Sequence, residues 1–284
     1  MPRDLADVLH YFLPELEQGR GETVDREAIP SPDASRRPDR STTEPAPTNR
    51  RASAPPPLPI LGVPIGAHDV VRAALAWNLA IETTRLGAST VMLAPDSDCR
   101  SPLWPEAGIG PLGSELVYCP ARDLPGLYAA AADLAAARAE KARQGGIVFL
   151  RIPPEWLDDE RTPIESARWM LLMSSSNRRD LEAALDRAAR LQSSHPRIEL
   201  GLTVHGAQSI AEARSAFEWL ARRMQERLGL DLISYGLLVD DLHVYRAIAA
   251  QRPIGLAHPQ APATRALMDV ARLLYEDARS RVLG

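Results

Sequence analysis

The stretch Gly62-Val63-Pro64-Ile65-Gly66-Ala67-His68-Asp69-Val70-Val71-Arg72 follows an apolar run, Leu58 to Leu61, and opens a helical period that ends near Arg85. A strand, a glycine-bearing turn and a helix start form the frame in which backbone N–H groups close on phosphate. In that frame a lysine reaches the terminal phosphates and a Ser or Thr hydroxyl holds Mg²⁺. Here the frame is present without those groups. Gly62 and Gly66 are its glycines, and the chain's one lysine, Lys141, lies in a predicted helix far downstream. The spacing predicts a phosphate-binding scaffold that keeps its shape and has lost its chemistry.

Other residues could do chemistry, and each has a structural reading beside the chemical one. Arg72 and Arg151 could form a site for an anion or an acidic segment, or could pair with nearby carboxylates. His68-Asp69 reads as an acid/base pair or, with no nucleophile beside it, as a helix start capped by Asp69. Asp158-Asp159-Glu160 and Asp240-Asp241 read as solvated loop charges rather than paired catalytic acids. His205, at a strand end, is the best single candidate for crevice chemistry, against the role of a hydrogen-bonded imidazole at the edge of the core. Trp104 lies in a Pro/Gly-rich excursion and either binds something or covers the sheet edge. Cys99 and Cys119 have no metal-ligand spacing and read as ordinary thiols of a reduced protein.

These residues must be positioned by a folded body, and 284 residues with 45% apolar side chains can bury a full core. A net charge of −4 argues against a general nucleic-acid coat. No apolar run reaches the ~20 residues that cross a bilayer, which predicts a cytoplasmic protein. Residues 1–18 read as an amphipathic helix whose apolar face carries Leu5, Leu9, Phe12, Leu13 and Leu16, with a stop or kink at Pro14. Residues 19–57 are rich in Pro, Ser, Thr, Arg and Glu and read as a disordered linker. A helix on such a tether can dock on a protein partner or fold back on its own domain.

From Leu58 onward short apolar runs alternate with longer helical periods, which predicts an α/β domain over 58–284. Strands are expected near Leu58 to Val63, Ser89 to Leu93, Glu115 to Tyr118, Gly146 to Leu150, Trp169 to Met173, Glu199 to Val204 and Leu232 to Val239. Helices are expected from Asp69 to Leu86, Leu124 to Gln144, Arg178 to Gln192, Ser209 to Leu228, Leu242 to Ala250 and Ala261 to Arg281. Parallel strands joined by crossovers need cover on both faces. The expected architecture is an open, doubly wound, mostly parallel sheet with helices on both faces and a crevice at the strands' carboxyl ends. The pattern leaves strand order open. The last helix, with Leu267, Val270, Ala271 and Leu274 on one face, lacks a basic face and is expected to pack in the core rather than touch a membrane.

The stretches Trp77-Asn78-Leu79-Ala80 and Arg85-Leu86-Gly87-Ala88-Ser89-Thr90-Val91-Met92-Leu93 resemble the first helix and second strand of the MinD/ParA group of deviant P-loop ATPases. Leu237-Leu238-Val239-Asp240-Asp241 and Ala247-Ile248-Ala249-Ala250-Gln251-Arg252-Pro253-Ile254 resemble the last strand and loop of its FlhG (FleN) branch. Carried over from Asn78, the resemblance puts Arg72 where the group has its catalytic lysine, Ala73 at the Mg²⁺-binding hydroxyl and Ala67 at the second lysine that reaches across the dimer. It matches Asp96 and Asp98 loosely to the paired aspartates, puts Arg151 at a metal-associated aspartate and sets His205 at the base-recognising asparagine. The resemblance implies cellular positioning or assembly, such as flagellar or polar assembly, and a possible dimer. With those substitutions it implies a degenerate module that binds proteins, without a cofactor and without specific nucleic acid. The alternative is a divergent ATPase holding ATP and Mg²⁺ through Arg72 and Asp96 or Asp98.

Overall fold

The computed structural model describes residues 55–96, 103, 105–158 and 167–283. The N-terminal segment with Leu5, Leu9, Phe12, Leu13 and Leu16, together with Asp98, Cys99 and Trp104, lies outside the described residues.

Eight strands form one sheet: β1 (Ile60–Pro64), β2 (Ser89–Pro95), β3 (Gly108–Ile109), β4 (Glu115–Cys119), β5 (Gly146–Ile152), β6 (Trp169–Ser175), β7 (Glu199–Ala207) and β8 (Leu232–Val239). Their order is β3-β4-β2-β5-β1-β6-β7-β8. Each neighbouring pair is parallel except β3 with β4. The long helices are α1 (Val70–Arg85), α2 (Leu124–Ala139), α3 (Arg178–Ser194), α4 (Ile210–Leu228) and α7 (Pro262–Leu283), with shorter α5 (Leu242–Ala249) and α6 (Ile254–Ala257).

The direction of each crossover decides which face its helix covers, because parallel connections are right-handed. The step from β1 to β2 runs toward one edge of the sheet. The steps from β4 to β5, β6 to β7 and β7 to β8 run toward the other. Accordingly α1 packs with α7 on one face, whereas α2 covers β1, β2 and β5 and α3 packs with α4 on the opposite face. Periodicity selects the buried stripes: Leu181, Ala184, Leu185, Ala188 and Leu191 on α3, and Ala213, Ala216, Phe217, Leu220 and Met224 on α4. β5 is buried along its whole length, as a central parallel strand must be. Leu267, Val270, Ala271 and Leu274 are buried, so α7 is a core helix as its apolar stripe predicts.

Differences from the sequence expectation have local causes. β1 begins at Ile60 rather than Leu58, since Pro59 has no N–H for the ladder; its carbonyl instead accepts from Val148, and Leu58 N–H donates to Ala135. α2 stops at Ala139, where the ladder gives way to turns in which the N–H groups of Lys141 and Ala142 both donate to the Arg138 carbonyl, and Gly145, with a φ of +83°, then leads the chain into β5. β3 and α6 are too short for any periodic signal. Asp241 is no solvated charge: its side chain is 8% exposed, caps α5 and accepts from the N–H of Ala263 at the start of α7.

Candidate functional site

The loop from β1 to α1 closes on itself. Asp69 N–H donates to the Gly66 carbonyl at 3.0 Å and Val70 N–H to His68 at 3.1 Å. Asp69 is the N-cap of α1, and its Oδ1 accepts from Arg72 N–H at 3.0 Å. That carboxylate therefore takes one of the orphan amides that an anion at a helix start would otherwise use. A concave anion nest of backbone N–H groups needs right- and left-handed residues side by side. No residue from Leu58 to Val71 has a positive φ, Gly62 and Gly66 included. Gly62 is a packing position: a Cβ there would meet Met170 at 2.3 Å and the Tyr128 hydroxyl at 3.0 Å.

Arg72 sits in the first turn of α1, and all three of its nitrogens are engaged. Nη1 donates to Asp69 Oδ2 at 2.7 Å, Nη2 to Asp180 Oδ2 at 3.1 Å and Nε to His205 Nε2 at 3.0 Å. The guanidinium thus joins α1, the start of α3 and the end of β7. The guanidinium can do this because its donors sit on three separate nitrogens of one rigid plane. Asp180 is fixed in turn: Ser175 Oγ donates to it at 2.7 Å, and its N–H is capped by Asn177 at 2.8 Å. Burial pushes the Asp180 carboxyl up, but the hydrogen bonds from Ser175 and Asn177 and the Arg72 charge outweigh this and hold it below the ordinary carboxylate range.

His205 reaches Arg72 because β7 is bulged. The register with β8 shifts between His205 and Ala207, and Gly206 takes a φ of +67°, which turns the strand end toward the crevice. Burial, then the Arg72 charge, lowers the His205 pKa to about 4 against the pull of Asp69 and Asp180. The neutral ring is therefore the acceptor. From 6.5, its ordinary value, down to about 4 the unfolded chain holds a proton that the folded chain does not. Stability accordingly rises with pH across that window and is lost as pH falls through it, by about 3 kcal/mol in all. His205→Gln keeps an acceptor for Arg72 and removes the titration. Urea unfolding from pH 7 to 4 should give a flatter stability profile for this variant; parallel profiles would refute the assignment.

The other predicted positions fall into place around this cluster or away from it. Ala73 is buried in α1 and offers no oxygen, Ala67 is half-buried in the loop, and His68 is exposed. His68 and Asp69 form no acid/base pair, since Asp69 faces Arg72. Arg151, at the end of β5, is 1% exposed beneath the loop, with Nη2 3.5 Å from the Gly66 carbonyl. Arg72 and Arg151 form no joint anion site at the surface: one is paired with carboxylates and the other is buried. Asp96 is exposed at the end of β2, which β5 separates from β1. The sequence reading missed Asp180, although Ser175-Ser176-Asn177 followed by an acid three residues on is a legible helix-start signature. Among the described residues no group of three or more His, Cys, Asp or Glu could hold a metal ion, and no helix is long and apolar enough to cross a membrane.

No protein-family model matches the chain, and no curated protein matches it. Solved structures do. The MinD cell division protein of Aquifex aeolicus is 13% identical with a TM-score of 0.52, the match covering 77% of this chain and 97% of that one. A chain of the MinC:MinD cell division protein complex of the same organism is 14% identical with a TM-score of 0.53, covering 77% and 96%. At such identities the likeness is one of fold. The eight-stranded, mostly parallel sheet with helices on both faces is an α/β fold like that of these MinD structures.

Proposed function

We propose that this chain is a MinD-like scaffold whose phosphate site is closed by its own side chains, and that it works by binding proteins as a regulatory module in cellular positioning or assembly, for example polar or flagellar. The observation that carries this reading is the commitment of Arg72 to Asp69, Asp180 and His205. Mg²⁺-ATP fits these residues poorly. A phosphate would have to displace one of two carboxylates from the guanidinium and then lie beside it, where like charges repel. The loop has no nest of amides, position 73 has no hydroxyl for a metal, and no lysine is at hand. Phosphoryl transfer depends on such groups to stabilise the transferring charge.

Binding would then lie elsewhere on the chain. We assign it to the segment carrying Leu5, Leu9, Phe12, Leu13 and Leu16, whose sequence spacing suits a helix-in-groove contact with a separate protein. The MinC:MinD complex is a precedent for a protein of this fold held by a protein partner. An FlhG-like role follows from the C-terminal motifs quoted above. The competing reading is a divergent ATPase using Arg72 and Asp96 or Asp98. Phosphate release from millimolar Mg²⁺-ATP by the full chain separates the two: the closed-site reading expects the rate of buffer alone, and turnover that vanishes in Arg72→Ala would establish the ATPase.

A further inference from the structure

Two histidines outside the Arg72 cluster meet where the C-terminal elements join. His243 is the second residue of α5, His258 follows α6, and their rings stand 4.5 Å apart, centre to centre, tilted by 56°. Both are held on fixed backbone. His243 N–H donates to Asp241 Oδ1 at 2.9 Å, and its Nδ1 lies 2.8 Å from the same oxygen. His258 N–H donates to the Ile254 carbonyl at 2.7 Å, while the His258 carbonyl accepts from Ala261 N–H at 3.0 Å and from Thr264 Oγ1 at 2.7 Å. A carboxylate behind Nδ1 leaves Nε2 with its lone pair, which is how metal-ligating imidazoles are commonly oriented. A Zn–N bond of about 2.05 Å puts each ring centre about 3.2 Å from the ion, so two imidazoles at a tetrahedral angle lie about 5 Å apart. A small side-chain rotation separates that spacing from the one found. No third ligand joins the pair among the described residues. What flanks it in sequence is apolar: Leu242 is 60% exposed, Tyr245 48% and Leu256 41%. Water tolerates such side chains singly, but grouped around open ligands they mark a contact.

We propose that His243 and His258 are half of a zinc site, and that the same pair on a second copy of this chain supplies the other half across a two-fold axis. Structural zinc sites are closed and four-coordinate, so two histidines on one chain are an incomplete set. A two-fold axis doubles them to four without calling on any other residue. It also sets Leu242, Tyr245 and Leu256 of one copy against the same surface of the other, the self-complementary arrangement of an isologous contact, and the apolar rim keeps water from the ion. Charge agrees with this arrangement. Two Asp241 carboxylates, one behind each His243, balance the two positive charges that four neutral imidazoles leave on the metal. Zn²⁺ suits the donors, since imidazole nitrogen is a common zinc ligand whereas Mg²⁺ and Ca²⁺ take oxygen. Association of the chain would then follow the supply of zinc. The proposal uses no residue of the Arg72 cluster, so it and the closed-site reading can fail separately.

Sedimentation of the full chain, with ZnCl₂ or with EDTA, tests this. Zinc should double the sedimenting mass, EDTA should reverse it, and the metal content of the zinc-dependent species should be one ion per two chains. His243→Ala and His258→Ala, which remove one ligand each and leave the backbone hydrogen bonds in place, should each raise the zinc needed for half-association at least tenfold. Leu242→Glu keeps all four ligands and should weaken association as well, because it charges the apolar rim. A mass unchanged by zinc, one ion per chain on a species of unchanged mass, or association indifferent to the histidine or Leu242 variants would each overturn the proposal.

Discussion

Gly201→Ala should lower the unfolding free energy by about 3 kcal/mol, a large share of the 5–15 kcal/mol that holds a typical domain. Gly201 lies within β7, and a Cβ there would come 2.2 Å from Cε2 and 2.5 Å from Cδ2 of Tyr235. The ring has nowhere to go. It is fully buried, its hydroxyl accepts from Trp169 Nε1 at 2.9 Å and donates to Asp277 Oδ2 at 2.7 Å, and Arg281 stacks on the Trp169 ring at 4.5 Å. Trp169 belongs to β6 and Asp277 to α7, so the ring is clamped between two strands and a helix. Pushing it aside breaks those hydrogen bonds or spreads β7 from β8. Urea denaturation measures the loss. In Gly201→Ala/Tyr235→Leu the second change should cost less than it does in the wild-type background, because it relieves the clash. A single Gly201→Ala variant within 0.5 kcal/mol of wild type, on the scale where surface substitutions fall, would show that this clamp yields freely.

Arg72→Ala should cost about 2 kcal/mol. Removing one partner from a buried ionic group leaves the others uncompensated, which typically costs 3–5 kcal/mol. Here the side chains of Arg72, Asp69 and Asp180 are 18%, 27% and 32% exposed, and solvent screening reduces the figure. Arg72→Lys keeps the charge but gives up the fork, so it cannot face Asp69, Asp180 and His205 together, and it should lose about half as much. The pair of variants tests the geometry rather than the charge alone. Equal losses for Ala and Lys would mean that the fork is what counts and the charge adds nothing; no loss in either would mean that the cluster is ornamental to folding. Neither variant should gain nucleotide affinity, since Asp69 and Asp180 remain and the loop still lacks a nest.

Most of the sheet was legible because each strand is a short apolar run set between helical periods, and buried parallel strands cannot be written otherwise. The stop of β1 before its loop, the cap at Asp69 and the core stripe of α7 were all readable from neighbouring residues. Strand order was not, since it depends on which crossover each helix makes, and no local pattern encodes that. The candidate site divides in the same way. Arg72 and His205 were identified as positions, yet the contact between them joins residues 133 apart in sequence. It rests on a bulge at Gly206 that one His-Gly dipeptide only hints at. Asp180 escaped notice because a carboxylate in the first turn of a helix is commonplace; its role exists only once α3 is set beside α1. Arg151 looked like a crevice cation because it ends a strand, but the neighbouring loop covers it.

Calorimetric titration of Mg²⁺-ATP and Mg²⁺-ADP into the full chain tests the closed site most directly. Binding at a helix start that already holds Asp69, opposite a guanidinium already shared by two carboxylates and an imidazole, should release no saturable heat up to millimolar nucleotide, in wild type and Arg72→Ala alike. Saturable binding in the micromolar range, lost in Arg72→Ala, would contradict the account and make the crevice a working nucleotide site.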